Sequence, residues 1–181
     1  MGRLGAGLKP GMPGASGGTA YLKGLEETQI RLNKELNKIE AKSLGGLVKA
    51  ASFIRNKTEH EQPLTPKDYG NLIASWFVVT ADKEHRTAGP KTFKGPNASK
   101  VEAQKQTAVT TEQGRAARLT TKDRKVLIMG YGADYAGYVH EFIPGIANFT
   151  RPGSKEKWLE THVKNNMKKI VQIVKDNVQI K

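Results

Sequence analysis

Cysteine is absent from the 181 residues, which excludes both a disulfide framework and a thiolate-held metal. No apolar run approaches the roughly 18 residues that a membrane-spanning helix requires. The start of the chain is broken by glycine and proline and lacks the apolar block of a secretory signal. Aromatic residues make up only 7% of the chain and apolar residues 37%. That is too little to bury every segment, so tails or loops outside the core are expected. Acidic residues are also scarce, 17 against 30 Lys and Arg, and leave a formal charge of +13. Such a field favours nucleic acid, an anionic membrane or an acidic protein surface without choosing among them. Nucleophile elbow, phosphate loop and paired carboxylates are missing, and His60, His85, His140 and His162 lack zinc-ligand spacing. No catalytic group, cofactor or metal is therefore expected.

What is present divides unevenly. Residues 1–20 are dominated by glycine with Pro10 and Pro13, a composition that predicts a flexible arm, ordered only against a neighbour in an assembly. From Tyr21 onward Leu22, Leu25, Leu32, Leu36 and Ile39 recur at alternating three- and four-residue spacing, broken only by Gln29. This predicts an amphipathic helix; its seam spans only about three heptads, which favours packing in the chain's own core over an autonomous coiled coil. Gly45-Gly46 predicts a kink or a new helix start, since each mid-helix glycine costs about 1 kcal/mol. Leu47, Val48, Ala51 and Ile54 continue at helical spacing until Pro63 and Pro66 end the pattern.

Trp76 to Thr80 reads as a strand and Val126 to Tyr131 as a second one. Between them, residues 81–125 are basic and without evident period, which predicts an extended loop or hairpin with strands near Val101, Ala103 and Thr107 to Thr111. A final amphipathic helix is expected after Ser154 as N-cap, carrying Trp158, Leu159, Val163, Met167, Ile170, Val171 and Val174 on one face. The expected fold class is α+β: a small antiparallel sheet of roughly three to five strands, covered on one face by helices. Residues 21–181 form a single domain in this reading, preceded by the arm.

Two motifs stand out. In the first, Pro66 to Ser75, Pro66 pre-sets a turn, Asp68 is placed to accept an amide hydrogen two residues on, Gly70 supplies a positive φ and Leu72 anchors the corner inward. In the second, Tyr135 to Phe142, Tyr135 and Tyr138 read as packing their rings against the sheet with hydroxyls at its edge. His140 and Glu141, as strand neighbours, would face opposite sides and share no ion.

The two motifs together resemble the neck and tail-completion (head-tail joining) family of long-tailed bacteriophages. That family carries Pro-x-Asp-Thr-Gly-x-Leu-Arg-x-Ser at a helix-to-strand corner, matched by Pro66, Asp68, Gly70, Leu72 and Ser75, with Tyr69 and Ile73 as departures. It also carries Tyr-Ala-x-Tyr-Val-(His or Glu)-Glu, matched from Tyr135 and Tyr138 to Glu141, with Phe142 where a glycine commonly follows. Trp158-Leu159, opening the terminal helix, is a weaker third match. The resemblance implies a structural virion protein at the head-tail junction, assembled in the bacterial host cytoplasm as a homo-oligomeric ring of six or twelve subunits. Its partners would be connector, tail-terminator and possibly tail-tube proteins, with transient contact to genomic DNA and none to membrane.

The alternative is a basic nucleic-acid-binding module. Lys91, Lys94, Lys100, Lys105, Arg115 and Arg118 are the candidate contacts to a partner or to DNA. Phe93 is the one aromatic among them, which argues against base stacking and favours docking on acidic neighbouring subunits.

Overall fold

Trp76-Phe77-Val78-Val79 is bulky and apolar at every position, so a strand made of it has no wet face and must be covered on both sides. The computed structural model describes residues 17–86, 92–122, 124–141 and 149–179, with side chains from residue 28 onward. In chain order its elements are α1 (Gly17–His60), α2 (Asn71–Ala74), β1 (Trp76–Val79), α3 (Ala98–Leu119), β2 (Ile128–Tyr131), α4 (Ala136–His140), α5 (Trp158–Asn165) and α6 (Met167–Val178). By packing, the chain divides between Lys38 and Ile39. The part before the division holds the first half of α1, and the body holds everything else.

Within the body, β1 and β2 form a two-stranded antiparallel sheet with Trp76 opposite Tyr131 and Val79 opposite Ile128. Strand alternation sends Trp76 and Val78 to one face and Phe77 and Val79 to the other. Ala51 and Ile54 of α1, Leu159 and Val163 of α5 and Ile170 of α6 cover the first face. Ala108 and Val109 of α3 cover the second. A third cluster joins Leu72, Val101, Ala133 and Ala136 around the fully buried Trp158.

The α+β class holds, with helices on both faces of the sheet and two strands among the described residues, not the three to five expected. Residues 98–119 of the expected loop or hairpin are helix: Val101, Val109 and Ala116 are its buried residues, spaced eight and seven apart. The half-buried Lys105 and Glu112 lie on the same stripe and hide it from a simple apolar reading. The Tyr135 segment is likewise helical, not a strand. The terminal helix begins at Trp158, after Lys157 at φ 55, and is interrupted at Asn166, so Ser154 is not its cap. Helix α1 begins at Gly17, inside the expected arm; residues 1–16 lie outside the described residues.

No break occurs at Gly45-Gly46, and the reason is a neighbour. A β-carbon on Gly46 would lie 3.0 Å from the Val174 Cα and 3.2 Å from the Asn177 Cβ, so the pair lets α6 approach α1. The leucines of the α1 seam also do not pack into the core as expected. Leu32 and Leu36 of that seam are 58% and 43% exposed, so they have little cover among the described residues; Ile30, on another side of the helix, is 62% exposed.

The polar interior is equally specific. Tyr131 is half-buried as a residue, but its hydroxyl sits 3.1 Å from Thr58 Oγ1 and 3.0 Å from Thr65 Oγ1, both fully buried threonines. Burial, only partly offset by these hydrogen bonds, raises its pKa above the ordinary 10.0.

Two outcomes follow from this packing. Gly46→Leu forces α6 off α1 and lowers stability by about 1–3 kcal/mol. Gly114→Ala, where a β-carbon meets only the end of Arg118 at 3.9 Å, raises stability by about 1 kcal/mol; urea unfolding of both variants checks the pair. Tyr131→Phe leaves the threonines short of a partner and lowers stability at neutral pH by about 1–3 kcal/mol. Because the folded pKa is raised, the tyrosine's contribution is complete below pH 10.0 and is lost as pH climbs towards the folded value. The gap between wild type and Tyr131→Phe therefore narrows above pH 10.0, measured by unfolding at a series of alkaline pH values.

Candidate docking cleft

Proline and glycine build the corner that the cleft rests on. Gly70 adopts φ 89 and starts α2, where its carbonyl accepts from the Ala74 amide at 2.9 Å. Ser75 is fully buried; its hydroxyl donates to the Leu72 carbonyl at 2.8 Å and its own carbonyl accepts from the Gly132 amide at 2.9 Å. The last bond ties the first motif to the start of the second. Pro66 and Leu72 are buried, and Asp68 is exposed with no hydrogen bond or ion pair among the described residues. The expected amide bond to Asp68 is therefore not made.

The two motifs, about sixty residues apart in sequence, face one another across a single cleft of about 520 Å³. Pro66 to Leu72 form one wall, Tyr135 and Val139 of α4 another, and Pro96, Asn97 and Val101 at the start of α3 with Phe149 and Thr150 close the rest. Its surface is mostly apolar. Burial raises the Tyr135 pKa, helped by the negative charges of Asp134 and Asp68, so the tyrosine end of the cleft lies in a negative field. Asp134 is already matched by Lys100 at 3.5 Å.

Asn71 holds the α3 side in place. Its Nδ2 donates to the Lys94 carbonyl at 2.8 Å and its Oδ1 accepts from the Lys94 amide at 2.8 Å. The ring of Tyr69 lies against Gly95, where a β-carbon would come within 3.0 Å of it. Asn71 was not singled out in the sequence, and Tyr69 entered only as a departure from the corner motif. A polar residue just after a corner glycine, leading an apolar run, was the available signal.

Other expected residues lie elsewhere. Tyr138 is 71% exposed on α4, and Tyr135 lines the cleft. His140 and Glu141 do meet, contrary to strand alternation, because they end a helix: His140 Nδ1 donates to Glu141 Oε1 at 2.7 Å. Glu141 Oε2 accepts from Lys157, and this lysine and His140 lower the Glu141 pKa. The His140 ring packs edge-on to Trp158 at 4.8 Å, and neither His140 nor Glu141 lines the cleft. His162, buried, donates from Nε2 to the carbonyls of Glu61 and Pro63 at 3.0 and 3.1 Å.

Among the basic candidates, Lys105 pairs with Glu84 at 3.1 Å and Arg115 with Glu112 at 3.5 Å. With Lys100 on Asp134, three of the α3 cations already face carboxylates. Lys94 and Arg118 are exposed; Lys91 and Phe142 lie outside the described residues. Among the described residues no group of three or more metal-ligating side chains comes together, and no helix is long and apolar enough to cross a membrane.

Comparison with protein-family models, with curated proteins and with solved structures finds no match for this chain.

Asn71→Ala removes both bonds to Lys94, with an expected loss of about 1–3 kcal/mol and faster hydrogen exchange at the Lys94 amide. Asn71→Asp keeps the acceptor half and falls between the two; amide exchange read residue by residue checks the order.

Proposed function

We propose that this chain is a structural subunit of a bacteriophage neck, acting as a homo-oligomeric ring that helps join head to tail. The observation that carries assembly lies on α1: Leu32 and Leu36, about one helical turn apart on one face, are 58% and 43% exposed. Scattered exposed apolar residues are ordinary, but two leucines one turn apart on a helix face suit contact with another chain. The motif resemblance supplies the setting. It is supported by the way the two resembling segments, distant in sequence, close on one cleft. Function in this reading is mechanical: each subunit offers unlike surfaces to its neighbours, and head-to-tail contacts of that kind close into rings.

The nucleic-acid reading has less to draw on, because ion pairs with carboxylates already engage Lys100, Lys105 and Arg115. Direct DNA binding by the isolated chain, weakening steeply with salt, would favour that reading.

Electron microscopy of particles assembled without this chain tests the proposal: separate heads and tails are expected, and intact infectious particles reject it. At the level of the seam, Leu32→Asp with Leu36→Asp places charge on an already exposed face. The expected result is loss of the oligomer in native mass spectrometry with helical circular dichroism unchanged.

A further inference from the structure

We propose that the cleft between the Pro66–Leu72 corner and α4 receives the segment Lys9-Pro10-Gly11-Met12-Pro13 of a second copy of this chain. The identity of the occupant's source, a neighbouring copy, rests on the ring reading; the chemistry of the cleft does not.

Cleft and segment match in shape. At about 520 Å³, the cleft is within the range of roughly 300–1,000 Å³ that holds drug-sized ligands. Pro66, Pro96, Val101 and Val139 give it apolar walls, and Tyr69 and Tyr135 give it two aromatic rings with hydroxyls. Grooves lined by aromatic residues recognise proline-rich chain in the polyproline II form, whose pyrrolidine rings lie against flat faces and whose carbonyls stay open to donors. With three residues per turn and about 3.1 Å rise per residue, Pro10 and Pro13 fall on one edge of such a helix, about 9 Å apart. Gly11 and Met12 fill the interval.

Charge matches too. Asp68 lines the cleft, exposed and without an ion pair among the described residues, and Lys9 directly precedes Pro10. Asp134 adds to the negative field at Tyr135. Among the described residues, Lys67 is the one cation and Asp68 the one anion on the lining. In a chain of net charge +13, an exposed carboxylate without an ion pair among the described residues is a place for a cation, and a cationic proline segment suits it.

Because the chain has no cysteine, disulfide trapping reads this contact without background. Full-length chains carrying Met12→Cys are mixed with full-length chains carrying Asn97→Cys, at the cleft rim, assembled and oxidised, while native mass spectrometry reports the oligomer in the same samples. The expected result is a covalent heterodimer that falls at least tenfold when the donor also carries Pro10→Ala and Pro13→Ala. It falls likewise with Asp68→Lys in the acceptor and returns when the donor carries Lys9→Glu. An intact oligomer without the heterodimer overturns the inference and leaves the ring reading standing. A heterodimer indifferent to the proline and charge changes also overturns it, as does trapping within single chains of a Met12→Cys, Asn97→Cys double variant. A monomeric sample without trapping overturns both readings.

Discussion

A ribbon of two short strands has too little surface to hold itself together in water, and β1 cannot turn any of its four side chains outward without exposing a large apolar group. Burying each is worth about 1.5–3 kcal/mol, so the chain gains by covering both faces. This requirement organises the body. The connection from β1 to β2 is not a hairpin turn; it carries α3, which lies over Phe77 and Val79. The segments on either side of the strands in sequence, α1 before and α5 and α6 after, converge on Trp76 and Val78. Their convergence in turn sets the demand for glycine at Gly46, where α6 comes too near α1 for a β-carbon.

Covering both faces leaves irregular chain pressed between helices, and there the backbone's own polar groups must find partners. The stretch from Glu61 to Pro66 shows how. His162 donates to its first carbonyls, Thr65 joins Thr58 around the Tyr131 hydroxyl, and Arg151 donates to the carbonyls of Glu59 and Thr65 at 2.6 and 3.2 Å. Each of these side chains comes from a different part of the fold. Together they fix the stretch that runs directly into Pro66, so the position of the cleft wall is a consequence of how the core satisfies its polar groups.

The strands, the corner and the helical spacing of α1 were legible because each depends on near neighbours in sequence: β-branched and aromatic runs, a proline and glycine turn, a three-four repeat. What was illegible depends on distant ones. Gly45-Gly46 looks like a break until Val174 is known to lie across from it. Helix α3 buries only Val101, Val109 and Ala116, and its stripe includes polar residues whose ion pairs, such as Lys105 with Glu84, cross to another segment. The Tyr135 motif was read as strand with its tyrosine rings against the sheet, yet one turn of helix is what lets Tyr135 and Val139 share the cleft wall. Both motif segments could be found in sequence, but not that they face each other, since that follows from Ser75 and Gly132 meeting at the end of the sheet.

A chain with net charge +13 whose Leu32 and Leu36 are exposed on one face of α1 faces two opposed tendencies wherever two copies meet. The seam favours association in proportion to the area it removes from water. Like charge opposes it, but only over about 8 Å at physiological ionic strength, so the charges that matter are those nearly in contact and not the total. Local matching therefore decides whether copies can pack. Asp68 is exposed and unmatched among the described residues, while Lys100, Lys105 and Arg115 already pair with carboxylates of the same chain. The distribution of paired and unpaired charge, more than the size of the net charge, decides how closely two copies of so basic a chain could pack.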